Sequence, residues 1–103
     1  MKEPSAIADR FGENLRRCRR QLGLSQEELG RRASLHRTEV GMLENGQRTP
    51  RIDTPMKLAA AAEVSPTALL DGIEWAVTRL ERPGSFWIAD PGTDSWHRWE
   101  KAP

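Results

Sequence analysis

The sequence has little of what most enzyme chemistry needs. It holds one cysteine, Cys18, so no internal disulfide can form and no pair of thiolates is available to a metal. It holds two histidines, His36 and His97, and no tyrosine. With these few groups it offers neither a metal-ligand cluster nor a Ser-His-Asp setting, and it lacks a glycine-rich phosphate loop. The expectation is a protein that is not an enzyme and that uses no metal and no cofactor. No stretch approaches the roughly 18 consecutive apolar residues that a membrane span requires. The opening MKEPSAIADRF contains no apolar signal core. A soluble, cytoplasmic chain with no membrane partner is expected, and Cys18, on an apolar helical stripe, is read as a small core residue.

The net charge of +1 hides an uneven distribution. From Arg10 to Arg51 there are ten arginines against five glutamates, a net of +5. From Val64 onward the balance is −2. A basic first half is the electrostatic footprint of a polyanion binder. The 103 residues suffice for one core of four or five helices. The expected organisation is a helical domain over 6–72 and a tryptophan-rich arm over 73–103.

Helical periodicity dominates the first part. Ile7, Phe11, Leu15, Cys18 and Leu22 mark one face of a helix from about Ala6 to Gln21, with Ser5 as its cap and Gly23 as its stop. In Ser25-Gln-Glu-Glu28 a capping box opens a second helix: the serine hydroxyl takes an early amide and Glu28 reaches back to the cap. Leu29 and Ala33 form its buried side. After a turn at Ser34-Leu35, a third helix runs from about His36 to Glu44, with Val40 and Leu43 inward, and stops at Asn45-Gly46. A fourth follows Asp53-Thr54-Pro55 and carries Leu58, Ala59 and Ala62. SPTALLDG is a short fifth helix capped by Ser65, with Leu69 and Leu70 inward and Gly72 as its stop. Beyond Gly72 lie five of the six aromatic residues. There EWAVTRL and SFWIAD, separated by ERPG, read as a short β-hairpin or extended arm.

The segments LGLSQEELG, LENG-x-R-x-P and SPTALL together resemble the XRE/Cro-type helix-turn-helix family, the lambda-repressor-like DNA-binding domains. The resemblance covers residues 8–72. It implies an all-α domain of five helices, double-stranded DNA as partner, and a bacterial or phage-encoded, cytoplasmic transcriptional regulator, most often a repressor. It also implies residue roles. A groove-reading helix needs long polar side chains near its start, and His36, Arg37, Thr38, Glu39 and Met42 occupy the exposed positions. Arg37 and Thr38 match base-contacting positions of the family, and Met42 matches a third, suited to apolar contact. Thr38 is read as a donor to a base or a contact to a thymine methyl. His36 is a candidate for a base or a phosphate. Ser25 and Gln26 match phosphate-contacting positions at the start of the second helix, as do Asn45, Gln47 and Arg48 after the third. Arg51 matches a position near the minor groove and its flanking phosphates. Arg10, Arg16 and Arg17 are candidates for weaker contacts. Glu44 and Arg19 match an ion pair that maintains the fold. Gly41 departs from good helix design, since glycine costs about 1 kcal/mol relative to alanine inside a helix. Two reasons for it stay open: close backbone approach to DNA or to the second helix.

The arm lies outside the resemblance. One such reading head spans few base pairs, so a homodimer on a palindrome is expected, with the fifth helix and the arm as its surface. The alternative is an antitoxin whose tryptophan-rich tail covers a partner protein, since aromatic anchors suit interfaces.

Overall fold

A computed structural model of the chain describes residues 6–77, 84–90, 92–93 and 95–99. Ser5 and most of the ERPG turn lie outside these residues. Helix α1 spans Ala6–Gln21 and buries Phe11, Leu15 and Cys18 along one stripe. Leu22, expected on that stripe, is exposed. The helix has ended: Gly23 takes a left-handed conformation (φ 74°), and Leu24 N–H turns back to the Arg19 carbonyl at 3.1 Å. The turn carries Leu22 away from the face it would have continued.

Helix α2 spans Gln26–Ala33, α3 Arg37–Glu44, α4 Asp53–Ala61 and α5 Pro66–Leu69. Helix α3 packs on α1 and α2, α4 on α2, and α5 on α4 and α1. Their shared core is Phe11, Leu15, Leu29, Val40, Leu43, Leu58 and Leu69, all essentially inaccessible. Each such side chain contributes roughly 1.5–3 kcal/mol by leaving water. Leu70, expected inward, is 48% exposed, because α5 is a single turn that closes on Leu69.

The C-terminal carbonyls of α5 are satisfied by α1. Asn14, fully buried, donates through Nδ2 to the carbonyls of Leu69 (3.0 Å) and Asp71 (2.8 Å). Arg10 Nε donates to the Asp71 carbonyl at 3.0 Å, and its guanidinium lies 3.7 Å from the Asp71 carboxylate. These carbonyls have no partner within their own helix. Arg10 is therefore a buried structural residue, and its expected place at a phosphate surface is corrected: only 6% of it meets solvent.

Two helical glycines differ sharply. At Gly12 a Cβ would run into the backbone carbonyls of Leu43 and Glu44, so only glycine lets α1 approach the end of α3 this closely. At Gly41 a Cβ would meet nothing nearer than the Gln26 side chain, at 3.6 Å, an ordinary contact. Among the described residues nothing requires glycine there.

The chain divides into two compact units, one through Asp71 and one from Gly72. The second unit is a three-stranded antiparallel sheet in the order β1-β2-β3, formed by Ile73–Ala76, Ser85–Ala89 and Trp96–Arg98. A β1–β2 hairpin was the sequence expectation; the third strand was not. It is paired through Trp87 with Arg98, Ile88 with His97, and Ala89 with Trp96. The register sets Trp75 opposite Phe86, and Trp99 N–H donates to the Phe86 carbonyl at 2.8 Å. Their rings form an edge-to-face series with centroids 4.9 and 6.3 Å apart.

Gly12→Ala should lower stability by about 1–3 kcal/mol, because a backbone must shift to admit the methyl group. Gly41→Ala should raise it by up to about 1 kcal/mol through helix propensity. Urea denaturation of the two variants checks both; similar effects of the same sign would contradict the geometry.

Candidate nucleic-acid interface

Glu44 sits at the last turn of α3, and its carboxylate is completely buried. Arg19 of α1 grips it with two parallel hydrogen bonds, Nε to Oε2 at 2.7 Å and Nη2 to Oε1 at 3.0 Å. This fork geometry is available to arginine and not to lysine. The remaining Arg19 nitrogen, Nη1, donates to the Leu24 carbonyl at 2.9 Å, ahead of α2. Gln26 Nε2 donates to Glu44 Oε1 at 3.2 Å, and Arg16 Nε approaches the same oxygen at 3.4 Å. Arg16 also donates through Nη2 to Asn45 Oδ1 at 2.9 Å. One carboxylate thus fastens α1, α2 and α3 together. Two guanidiniums beside the C-terminus of α3 also face the negative end of its dipole. Burial pushes the Glu44 carboxyl up, but the hydrogen bonds from Arg19, Gln26 and Arg16 and the Arg19 charge outweigh it and leave it below the ordinary value of 4.5. The hydrogen bond to Glu44 raises Arg19 in turn.

The start of α3 is built differently. His36 is the cap residue and not part of the helix: its Nδ1 accepts from Thr38 N–H at 3.1 Å. The Thr38 hydroxyl lies 2.9 Å from the same nitrogen. His36, Arg37 and Thr38 are all exposed, whereas Val40, Leu43 and Glu44 of the same helix are buried. Glu39 and Met42 are half-buried. Among the described residues, neither Arg37 nor Arg48 has a carboxylate partner.

The other sequence-predicted residues fall into two groups. Ser25 caps α2, its Oγ accepting from Glu28 N–H at 3.0 Å. Only this half of the expected capping box forms as read: the Glu28 carboxylate turns along its helix to Arg31 and Arg32. Gln26 and Asn45 join Arg16 around Glu44. Gln47, Arg48 and Arg51 lie exposed beyond α3, with Arg51 Nε 3.5 Å from Asp53. Arg17 is exposed and donates to Asn14 Oδ1 at 3.2 Å. Sequence reasoning missed the links from Gln26 to Glu44, Arg16 to Asn45 and His36 to Thr38. Only the last left a local signal, a ring acceptor at the cap position two residues before a hydroxyl.

The two helices and turn that carry these groups, α2 to α3, fall inside a match to a family model described as helix-turn-helix (HTH_3), which spans residues 15–69, a little over half of the chain. The chain belongs to this helix-turn-helix family. It is 39% identical over 59 residues to an uncharacterized HTH-type transcriptional regulator, y4dJ, of Sinorhizobium fredii, covering 57% of this chain and 77% of that one. It is 37% identical over 62 residues to the control protein C.BamHI of Bacillus amyloliquefaciens, covering 59% and 76%. Among solved structures it is similar to the restriction-modification controller protein C.AhdI of Aeromonas hydrophila, with a TM-score of 0.61 and 41% identity over 62% of this chain and 97% of that one. The five-helix, lambda-repressor-like fold of this helix-turn-helix protein agrees with its sequence resemblance. The antitoxin reading finds no support in these relatives. Among the described residues, no helix is long and apolar enough to cross a membrane.

Glu44→Ala should cost about 3–5 kcal/mol by leaving Arg19 without its partner, seen as a lower midpoint in thermal melts; an unchanged melt would remove Glu44 from the fold's supports. Because the folded-state carboxyl is depressed, the unfolded chain takes up its proton first. The contribution of Glu44 is complete above about pH 4.5 and is lost as pH falls through the folded value. Stability measured against pH should therefore decline below that point in the parent and much less so in Glu44→Gln.

Proposed function

We propose that this protein is a sequence-specific DNA-binding transcriptional regulator, acting as a repressor in the cytoplasm, that reads the major groove with α3. The observation that carries the reading is the division of that eight-residue helix. Its buried side is locked to α1 and α2 through Val40, Leu43 and Glu44, while His36, Arg37 and Thr38 project from its N-terminal end into solvent. A rigid helix with polar side chains at its start is the form in which base edges are read. Arg37, uncommitted to any carboxylate among the described residues, has the reach and donor pattern to bridge the two acceptors of guanine. Met42, one turn past Thr38, supplies apolar contact. Ser25, Gln26, Asn45, Gln47, Arg48 and Arg51 serve as phosphate-contacting groups that fix register without reading sequence. The Arg16–Asn45 hydrogen bond supports adding Arg16 to that set. Gln26 has a second duty, since one amide hydrogen is given to Glu44 and one is left for a phosphate. The names of the relatives, a transcriptional regulator and two controller or control proteins, point the same way.

The reading includes a homodimer on two half-sites about one helical turn, ~10 bp, apart. Residues 6–72 are the DNA-binding unit, and the arm over 73–103 contributes to the dimer surface together with α5. Leu70 of the helical unit is exposed, and so are Trp75, Val77, Trp87 and Trp96 of the arm.

Arg37→Ala should weaken the cognate site by roughly 1–3 kcal/mol and relax one base position. Arg48→Ala should weaken all sequences alike and flatten the salt dependence by about one unit of slope. Fluorescence-anisotropy titrations on cognate and scrambled duplexes at several salt concentrations separate the two; Arg37→Ala behaving like Arg48→Ala would contradict the placement of α3. Truncation after Gly72 should leave the helical unit folded but weaken dimerisation and operator binding, and sedimentation showing undiminished dimers would remove the arm from that role.

A further inference from the structure

Resting on the reading of α3 as the groove-reading helix, we propose that His36 is a positioning residue that fixes the hydrogen-bonding polarity of Thr38, so that Thr38 meets a base as an acceptor. Two distances carry this. The Thr38 amide can only donate, and its bond ends on His36 Nδ1 at 3.1 Å. Nδ1 therefore bears no hydrogen, and a neutral ring carries its proton on Nε2. The Thr38 hydroxyl oxygen lies 2.9 Å from that same nitrogen. Two facing lone pairs would repel, so the contact is attractive only with the hydroxyl hydrogen directed at Nδ1. The single in-plane lone pair of Nδ1 is thus shared, in a three-centre bond, by the amide and the hydroxyl of one residue.

Helix α5 supplies the contrast within the same chain. There Ser65 Oγ accepts from Thr67 N–H at 3.4 Å and lies 3.0 Å from the Thr67 hydroxyl. A serine cap has a hydrogen of its own, so either hydroxyl can be the donor and the direction is free. A histidine cap with an unprotonated Nδ1 has no hydrogen to give on that side, and the direction is set.

The consequence is a restriction on what Thr38 reads. Its hydrogen is committed to His36, and it presents outward two lone pairs and a methyl group. The donors in the major groove are the amino groups of adenine and cytosine, whereas guanine N7 and O6 and thymine O4 accept. Thr38 selects adenine or cytosine on the strand it touches. On this proposal Thr38 accepts from a base, where the sequence alone suggested donation to a base or contact with a thymine methyl. The opposite ring nitrogen, Nε2–H, points away from the cap as an outward donor.

The test has one arm without DNA and one with it. Ring nitrogen NMR of the free protein at about pH 8 should show His36 as the Nε2–H tautomer, its signals identified by their loss in His36→Asn. Bound sites selected from random duplexes should then be compared for the parent, Thr38→Val, His36→Asn and His36→Ala. Thr38→Val locates the base position by losing its preference. The parent should favour adenine or cytosine there by roughly tenfold. His36→Asn keeps a cap acceptor and should keep the preference; His36→Ala frees the hydroxyl and should reduce it several-fold, although both variants lose the ring. An Nδ1–H tautomer, a preference for guanine or thymine at that position, or a full preference retained in His36→Ala would each overturn the proposal. If the parent selects no sequence at all, the reading of α3 fails and this proposal with it, a result separable from the others because the NMR arm stands independently.

Discussion

The polar contacts that fasten α3 to the other helices converge on one buried carboxylate. Glu44 accepts from Arg19, Arg16 and Gln26, and these three donors come from two other helices. Burying an ion is costly unless its lone pairs are filled, and here both oxygens are engaged. Helix α3 alone is too short to be stable in water. Its position is therefore a property of the carboxylate's partners as much as of its own sequence. The close passage at Gly12 completes the arrangement by letting α1 lie against the carbonyls of the same terminal turn.

A division of labour among the basic residues follows. The first half of the chain is rich in arginine, yet part of that charge is spent internally. Arg10 closes the end of α5, Arg19 holds Glu44, and Arg31 and Arg32 share Glu28. The positive charge available to a polyanion is smaller than the count of arginines suggests: in that half, Arg17, Arg20, Arg37 and Arg48 are the exposed arginines without a carboxylate partner among the described residues.

Much of the helical unit was legible because its signals are local. Apolar spacing marked α1, Ser25 and Ser65 marked caps, and Gly23 marked a stop, each within a few residues of its effect. The identity of Arg19 and Glu44 as partners came from the family resemblance, since 25 residues separate them. What was not legible depended on partners distant in sequence. Arg10 read as a candidate for a weak DNA contact and Asn14 gave no signal, and only the arrival of the carbonyls at and just beyond the end of α5, more than 50 residues later, makes them buried structural groups. Leu22 and Leu70 read as core because periodicity was extended one residue past a helix end. The third strand was missed because Trp96–Arg98 is too short to show an alternation of its own and is defined by its pairing with β2.

The way Arg19 divides its guanidinium bears on motion. Two of its nitrogens hold the end of α3, and the third holds the Leu24 carbonyl in the loop that leads into α2. Loss of either grip loosens the other, because both hang from one rigid plane. Opening of α3 through loss of Arg19 would therefore also release the α1–α2 loop. In hydrogen exchange, the amides of Val40 and Leu43 should then open together with the core of α1. On the proposed reading of α3, such a surface would meet DNA already ordered, with no cost for folding the reader at the moment of contact.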